Sequence, residues 1–360
     1  MVTMKDVARA AGVSQAAVSY AYNRPEKLSA AQRQAIMEIA AQLGYAGPNA
    51  VGASLRSGRS GAIGVMLMDT LEYAFTDPST RCLLEGIVQT RRFDDLALTL
   101  LPLPHRGVPA AVGEPRSGDQ AALRGLVDGV IVHCLPDDHS ALLTLQSRGI
   151  PMIIIDAPHL PGVPLVGIAD REAAREQVEH LLGLGHRRFG IIAERLLPDG
   201  FHGLVDARRR ARCAERVVRE RIAGYQEACE AAGLDFEQVP VVEAGGFDLA
   251  AGVPAAHDLL TGTEVTAVVA TSDTMAIAVL EAARDRGLRV PEDLSVVGFD
   301  DAPEAAPRGL TTIRQPMVHK GRIAAELLFG LLRGDPKPDD VYLPTELVRR
   351  RTSGAPRVTR

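Results

Sequence analysis

A short polar face near the start of the chain carries side chains that can read the edges of base pairs. In a helix that begins after Ser14, one side is small and apolar. The opposite side carries Gln15, Ala16, Ser19, Tyr20 and Asn23. This face is neutral, short and polar, as a surface that hydrogen-bonds to bases in the major groove of DNA must be. The sequence therefore predicts a DNA-reading helix here.

Two helices joined by a tight turn must hold this face in place. The first helix has an apolar stripe at i, i+3, i+4 and i+7, formed by Met4, Val7, Ala8 and Ala11. Thr3 is its predicted N-cap, and Gly12 ends it because glycine adopts the backbone conformation that a sharp turn needs. Ser14 then caps the second helix. Thr3 and Ser14 are also predicted DNA contacts.

A third helix would close a small core with the first two. Ser29 and Gln32 form a capping box, and Gly44 ends the helix. The stripe that we expect to be buried is Ile36, Ile39, Ala40 and Leu43. Any helical hairpin packs small residues at its turn, and most such hairpins bind nothing. The third helix is therefore what favours a DNA-binding headpiece.

Several motifs in this segment resemble the headpiece of the lac-repressor/galactose-repressor family of bacterial transcription regulators. They are Asp6-Val7-Ala8, Ala11-Gly12-Val13-Ser14, Val18-Ser19, Asn23, Leu28-Ser29 and Leu43-Gly44-Tyr45. The resemblance implies a sequence-specific DNA-binding regulator, with a repressor as the expected type. One recognition helix covers too few base pairs for genomic specificity, so we expect a homodimer on a near-palindromic double-stranded operator.

Residues 48–60 are rich in small residues and are predicted to link the headpiece, residues 1–47, to the rest of the chain. A helix of this composition is marginal in isolation. The resemblance implies that the segment becomes a hinge helix on operator DNA, where Leu55 wedges between base pairs in the minor groove. Asn49 is the other predicted DNA contact of this segment. The alternative is an ordinary linker leucine that folds onto the core.

Charge and cysteine content agree with this division. Residues 1–60 carry seven Lys/Arg against three Asp/Glu, a net charge of +4, whereas the whole chain is at −5, so only the N-terminal piece suits a phosphate backbone. The four cysteines are scattered without C-x-x-C spacing, which is typical of reduced thiols rather than of disulfides or a zinc site. The sequence shows no signal peptide or membrane span, so we expect a cytoplasmic protein with no membrane partner.

From residue 61 onward, apolar runs of strand length alternate with helical patterns. The predicted strands are Ala62 to Met68, Leu96 to Leu101, Gly129 to His133, Met152 to Asp156, Phe189 to Ala193, Ala267 to Ala270 and Leu294 to Phe299. Continuous apolar runs indicate strands buried on both faces. Repeated βαβ units then indicate parallel sheets flanked by helices.

The resemblance implies that residues 61–353 form a periplasmic-binding-protein-like α/β body of two parallel-sheet lobes. We expect one lobe over about 61–168 and 300–333, the other over about 169–299 and 334–353, and a tail at 354–360. The chain would then cross between the lobes near Ile168, near Asp300 and around Gly334.

A small effector, most readily a sugar, is expected in the crevice at the carboxyl ends of the strands, between the lobes. The resemblance implies that Asp273 accepts hydrogen bonds from ligand hydroxyls and that Arg221 donates to the ligand. The two would form a charged donor and acceptor pair across the cleft. Asp273 follows a strand and opens a helix, so a role as N-cap is the alternative.

Four more residues are predicted effector contacts. Asp156 ends a strand and matches a further cleft position of the family. Phe247 resembles an aromatic residue that stacks on the apolar face of a ligand, with a core phenylalanine as the alternative. Tyr73 and Phe75 are candidates because they follow the first strand of the body.

The body motifs continue the resemblance across most of the chain. They are Leu184 to Gly190, Arg221 to Tyr225, Thr271-Ser272-Asp273, and Ser295 to Asp301 followed by Leu310 to Pro316. Residues 194–219 depart from the pattern, because this segment is longer than usual and rich in arginine. We predict a solvated, mobile excursion near the cleft. A second nucleic-acid surface is the alternative, although acidic residues interrupt the basic run.

Enzyme motifs are absent from the sequence. It contains no G-x-S-x-G, H-E-x-x-H, G-x-x-x-x-G-K or G-x-G-x-x-G after a strand, so we expect no enzyme, no cofactor and no metal. A solute-binding protein without DNA function is the remote alternative, since it would share the body but lack the headpiece. Within regulators, control by a purine-like molecule or by a phosphoprotein is the alternative to a sugar.

Overall fold

The computed structural model describes residues 2–47, 60–68, 70–90, 96–103, 127–137 and 139–357. The chain divides into two compact units, residues 1–61 and 62–360. The predicted DNA contacts Asn49 and Leu55 lie outside the described residues.

Three helices form the first unit: α1 (Met4–Ala11), α2 (Gln15–Asn23) and α3 (Ala30–Gln42), with a 3-10 turn at Pro25–Lys27. Gly12 follows α1 with φ of 64°, the left-handed conformation expected of a glycine that ends a helix. The hydroxyls of Ser14 and Ser29 accept hydrogen bonds from the backbone N–H groups of Ala17 and Gln32. Local caps and periodicity therefore set the helix boundaries.

A small apolar core joins the three helices. Its buried members are Val7, Ala8, Val18, Ala21, Ile36 and Ala40. The predicted stripe on α3 is wrong at Leu43, which is 38% exposed. The helix ends at Gln42, and Leu43 is the C-cap residue beyond the last regular turn. Its side chain therefore does not continue the buried face.

Two sheets form the second unit, and their strands follow in spatial order. The first contains β12 (Val341–Leu343), β5 (Leu165–Ile168), β4 (Met152–Ile155), β3 (Gly129–His133), β1 (Ala62–Met68) and β2 (Ala97–Leu103). The second contains β13 (Glu346–Val348), β11 (Thr311–Arg314), β10 (Ser295–Asp300), β9 (Ala267–Ala270), β6 (Phe189–Ala193), β8 (Val241–Glu243) and β7 (Gly203–Leu204). All neighbouring strands are parallel except the edge strands β13 and β7.

Helices cover both sheets. They are α4 (Leu71–Thr76), α5 (Pro78–Val88), α6 (Ser140–Ser147), α7 (Asp170–Gly183), α8 (Ala207–Ala211), α9 (Arg216–Ala231), α10 (Leu249–Gly262), α11 (Asp273–Asp285), α12 (Ala305–Arg308) and α13 (Met317–Arg333), with a 3-10 turn at Phe236–Gln238. Each sheet packs against an apolar cluster on both of its faces. This burial explains the continuous apolar runs that predicted the central strands.

The structure moves two of the three predicted crossings between the lobes. The first lies after Ile168, where β5 ends and α7 begins. The second lies at residues 315–316 rather than near Asp300, because β11 pairs with β10 in the second sheet. The third lies at residues 344–345 rather than around Gly334, because β12 pairs with β5 in the first sheet. Among the described residues, those of 62–168 and 317–343 thus build the first lobe, and those of 170–314 and 346–353 build the second.

The arginine-rich segment is folded, which corrects the prediction of a solvated excursion. Cys213 is buried, and the strand β7 pairs with β8. The guanidinium of Arg209 donates to Asp199 and to the fully buried carboxylate of Glu243. Arg195 pairs with Glu215, and other arginines of the segment pair with Glu237 and Asp137. These ion pairs use much of the charge that a nucleic-acid surface would need.

Within the described ranges, none of the helices combines the length and apolar composition that crossing a lipid bilayer requires.

Candidate effector and DNA-binding sites

A cavity lies between the lobes at the carboxyl ends of strands from both sheets. It encloses about 90 Å³. The first lobe contributes Met68, His133 and Asp156 at the ends of β1, β3 and β4, and the second contributes Glu194, Ser272 and Asp300 at the ends of β6, β9 and β10. This is the place where ligands bind in open α/β sheets. Residues 215–218, at the start of α9, complete the side of the cavity that the second lobe forms.

Arg221 lines this cavity and is almost fully buried. Its Nε donates to Asp170 Oδ1 at 2.9 Å, one terminal nitrogen donates to the backbone carbonyl of Thr271, and the same nitrogen lies 3.6 Å from Asp300 Oδ1. The guanidinium also stacks 3.6 Å from the centroid of the Phe299 ring. Buried charges persist only when they are paired in this way. The arginine is therefore held rigidly in the cavity wall.

Asp273 lies elsewhere than the sequence suggested. It is 1% exposed and is not among the residues that line this cavity. Its two carboxylate oxygens accept hydrogen bonds from the Thr312 hydroxyl at 2.6 Å and from the Ala302 N–H at 2.7 Å. The predicted pair with Arg221 is replaced by the contacts of Arg221 with Asp170 and Asp300. Ser272, not Asp273, is the N-cap of α11 and the residue that faces the cavity.

The aromatic candidates separate into two groups. Tyr73 and Phe247 line the cavity from opposite lobes, with ring centroids 5.7 Å apart. The Phe247 ring also packs against the guanidinium of Arg195, 4.6 Å from the ring centroid. Phe75 is 58% exposed and does not line this cavity. Phe75 lies two positions after Tyr73 on α4, which turns its side chain about 200° around the helix from that of Tyr73.

Asp156 lines the cavity, as predicted from its place at the end of a strand. In the described part of the chain, Asp156, His133 and Cys134 form a group whose side chains are of the types that bind metal ions. Their ligand atoms lie within 4.8 Å of one another. The Lys320 ammonium, however, lies 2.6 Å from Asp156 Oδ1. A divalent cation on the same carboxylate would meet this positive charge at close range. The residues present therefore do not fit a metal ion.

Two acidic groups of the cavity escaped the sequence reasoning. Burial raises the pKa of Glu194 to about 8, with the nearby Asp300 carboxylate adding to the shift and the Arg221 guanidinium opposing it. Burial likewise raises the pKa of Asp300 to about 6, against the effect of Arg221. Perturbed carboxyls in a cleft are typical of binding sites. The available signal was their position directly at the ends of β6 and β10.

Glu194→Gln is expected to weaken the pH dependence of stability. The folded chain holds the Glu194 proton to a pKa of about 8, whereas an ordinary glutamate loses it near 4.5. The stability linked to this proton is therefore full below pH 4.5 and is lost as the pH rises towards 8. Glutamine stays neutral, so the variant should lose less stability between about pH 5 and 9. Thermal melting across this range measures the difference.

Glu172→Gln is the matched control, because Glu172 is exposed on α7. Its melting temperature should follow that of the wild type at every pH. If Glu194→Gln also follows the wild type throughout, Glu194 does not carry a proton into the folded cavity near neutral pH.

The polar face of α2 is presented as the sequence predicted from its periodicity. Gln15, Ala16 and Asn23 are exposed, whereas Ser19 and Tyr20 are half-buried. The Asn23 amide donates to the Ser19 hydroxyl at 3.4 Å, and the Lys27 ammonium lies 5.2 Å from the centroid of the Tyr20 ring. Lys27 thereby adds a cationic side chain next to the face without belonging to α2.

The cap residues lie at the ends of the same helix pair. The Thr3 hydroxyl and backbone N–H both donate to Asp6 Oδ2, at 2.6 and 3.0 Å. These two bonds lower the pKa of Asp6 below its ordinary value. The N-termini of α1 and α2 therefore carry formed caps, and helix N-termini are positions at which backbone N–H groups meet phosphates.

The N-terminal unit and the body of the chain each match a known protein family. Residues 3–49 match the bacterial regulatory proteins of the lacI family, and residues 178–353 match the periplasmic binding protein-like domain. A helix-turn-helix transcriptional regulator of Mycobacterium tuberculosis is 40% identical over 98% of this chain and 97% of its own. The regulator IpsA of Corynebacterium glutamicum is 36% identical over 95% of each chain.

Solved structures agree over the full length. A LacI-family regulator from Corynebacterium glutamicum has a TM-score of 0.74 at 31% identity, covering 98% of both chains. A lac repressor dimer bound to operator and the anti-inducer ONPF has a TM-score of 0.78 at 25% identity, covering 98% of this chain and 99% of that one. A CelR–cellobiose complex has a TM-score of 0.67 at 28% identity, covering 98% of this chain and 100% of the CelR chain. The chain therefore belongs to the LacI/GalR family of DNA-binding transcription regulators.

Proposed function

We propose that this protein is a homodimeric repressor that binds a near-palindromic operator and whose operator affinity is set by a sugar in the cavity between its lobes. One observation carries the proposal. A chain whose N-terminal residues match the lacI family of regulatory proteins also contains a cavity lined by carboxyl groups, two arginines and two aromatic rings. Carboxylates and arginine bind hydroxyl groups, and aromatic faces pack against the apolar faces of sugar rings. Such a regulator acts in the cytoplasm, where the DNA is.

The cavity volume supports a small effector. If one water takes about 15 Å³ of such space, 90 Å³ holds on the order of six waters. This is room for one sugar ring rather than for two. The related CelR structure contains cellobiose, a disaccharide. We therefore infer that this chain takes a monosaccharide-sized effector.

Dimerisation rests on the relation between the headpiece and its target. A single recognition helix reads only a few base pairs, whereas a two-fold dimer reads two half-sites. The related lac repressor binds its operator as a dimer. Leu55 as the minor-groove wedge and Asn49 as a DNA contact remain predictions from the resemblance.

Contacts between the lobes provide a physical route for control. Arg219 pairs with Asp137 at 2.9 Å, and the Ser79 hydroxyl donates to Asp300 at 3.1 Å, each joining the two lobes. An effector that binds the cavity competes with or strengthens such contacts and so biases the angle between the lobes. Control of DNA binding then requires only that the two lobe arrangements differ in operator affinity.

Two measurements test the proposal. Selection of genomic fragments bound by the full chain should return sites with two-fold symmetry. Thermal melting with neutral sugars, sugar phosphates and purines should show stabilisation by a neutral monosaccharide, and that compound should change the affinity for the selected fragments. Asymmetric sites would contradict the dimer. Stabilisation by purines alone would replace the sugar with a purine-like effector.

Tyr20→Ala is expected to change base preference at one position of the half-site. Tyr20 can donate one hydrogen bond and contact thymine methyl groups, but it cannot pair bidentately with guanine as arginine can. The discrimination lost should be about 1 to 3 kcal/mol at that position. A binding selection with wild type and variant measures it.

Gln34→Ala is the control for this experiment, because Gln34 is exposed on α3, outside the predicted face. This variant should leave the base preference at every position of the half-site unchanged. If Tyr20→Ala also leaves the base preference unchanged, Tyr20 does not read bases in the operator.

A further inference from the structure

We propose that Lys320 determines which ligands the cavity accepts. It holds Asp156 directly, and Asp300 through Gln315, as hydrogen-bond acceptors on opposite lobes, so that the cavity selects an uncharged polyol and rejects the phosphate or carboxylate derivative of the same compound. This inference rests on the proposed function, since it concerns the effector of the same cavity.

Lys320 is fully buried on α13. Its ammonium donates to Asp156 Oδ1 at 2.6 Å and to Gln315 Oε1 at 2.5 Å. An ammonium can only donate, so the amide of Gln315 must turn its oxygen towards the lysine and its nitrogen away. That nitrogen donates to Asp300 Oδ1 at 2.5 Å. One buried cation thus fixes the direction of every hydrogen bond in the chain of side chains.

This chain of side chains crosses from one lobe to the other. Asp156 and Lys320 belong to the first lobe, Gln315 lies in the second crossing, and Asp300 ends β10 in the second lobe. Asp156, Gln315 and Asp300 line the cavity, whereas Lys320 does not. Lys320 therefore acts as a positioning residue that reaches the ligand through its neighbours.

The backbone at both carboxylates is strained. Asp156 has φ of 62° and Asp300 has φ of 119°, conformations that favour glycine. Side chains persist in such conformations only where surrounding contacts hold them, and such strain collects at binding sites. The hydrogen bonds from Lys320 and Gln315 are contacts of that kind. They aim both carboxylates at the space between the lobes.

The charges around the cavity favour a ligand without negative charge. The carboxyl groups of Asp77, Asp156 and Asp300 face it, against the paired Arg221. Among the described residues, Arg216 lines the cavity with no hydrogen bond or ion pair to another side chain. An anionic ligand would use this guanidinium. A phosphorylated effector is therefore the outcome that competes with the inference.

Thermal melting of the full chain with paired ligands tests the specificity. The probes are D-glucose, D-galactose and D-ribose, each beside its monophosphate. The wild type should bind one of the neutral sugars at least about 10-fold more tightly than its phosphate, and Lys320→Met should weaken that sugar about 10- to 100-fold. Arg322→Met, which removes an exposed charge from the same helix, should behave as the wild type.

The double variant Lys320→Met/Asp156→Asn separates specificity from folding. Methionine alone leaves a carboxylate without its cation, so that variant should melt at a lower temperature, and asparagine should restore part of the loss. The neutral preference should stay lost in the double variant. If it returns there, or if Lys320→Met keeps the full preference, Lys320 serves stability alone.

The remaining outcomes also decide between the two proposals. Tighter binding of a phosphate than of its parent sugar in the wild type would overturn the inference and leave a small effector in place. A wild type that none of the six probes stabilises would contradict the sugar effector itself. In that case the recovery of melting temperature by the double variant still reports whether Lys320 holds Asp156.

Discussion

Replacing Arg221 by methionine is expected to abolish effector binding and to lower the free energy of unfolding by about 3 to 5 kcal/mol. The guanidinium is 4% exposed and pairs with Asp170 at 2.9 Å. Methionine fills part of the volume but leaves the carboxylates of Asp170 and Asp300 buried without their cation. Urea unfolding measures the first effect and ligand-dependent melting the second.

Arg175→Met is the matched control, because Arg175 pairs with Glu179 on the exposed side of α7, with side chains 50% and 47% exposed. Exposed pairs contribute less than about 1 kcal/mol. Adding Asp170→Asn to Arg221→Met should recover stability without recovering ligand binding. An Arg221→Met variant as stable as the control would mean that the buried charges relax into solvent.

Gly321→Ala is expected to destabilise the first lobe by about 3 kcal/mol or more. Gly321 lies on α13 where this helix crosses α5, and an added Cβ would overlap the backbone carbonyl oxygen of Leu83. Gly86 on α5 meets the Val318 carbonyl in the same crossing. Backbone atoms cannot turn aside as a flexible side chain can, so the helices must separate. Thermal or urea unfolding measures the loss.

Gly183→Ala is the control, since a Cβ at this helical position on α7 meets nothing within 4 Å. Alanine is the better helix former, so this variant should be as stable as the wild type or up to about 1 kcal/mol more stable. The crossing also sets the depth of α13, which carries Lys320 to Asp156. Gly321→Ala should therefore weaken ligand binding too, and wild-type stability in this variant would show that α5 and α13 separate without cost.

The direct connection between the lobes explains why so few residues are expected to govern the response. Asp156, Gln315 and Asp300 line one cavity and are joined by a single buried lysine. A ligand that contacts both carboxylates touches both lobes at once. Coupling between the effector cavity and operator binding then needs only two discrete arrangements of the lobes.

Elements whose causes are local can be predicted from the amino-acid sequence. Thr3, Gly12 and Ser14 mark the ends of α1 and α2 through caps and turn conformations that involve residues at most a few positions away. The central strands β1, β3, β6 and β9 follow from unbroken apolar runs, because burial on both faces leaves no alternation. The family could be named from motifs at fixed spacing for the same reason.

Which side chains face the cavity depends on contacts between distant elements and becomes visible only in the folded chain. Strands of three or four residues such as β11 and β12 have too little hydrophobic pattern to be assigned to a sheet, so the sequence predicts two of the crossings too early in the chain. Asp273 and its neighbour Ser272 both follow β9, and only the packing of Thr312 and Ala302 turns the carboxylate away. Lys320 meets Asp156 across 164 positions of sequence. Periodicity reports which face is buried, whereas the partner of a buried charge depends on where distant elements cross.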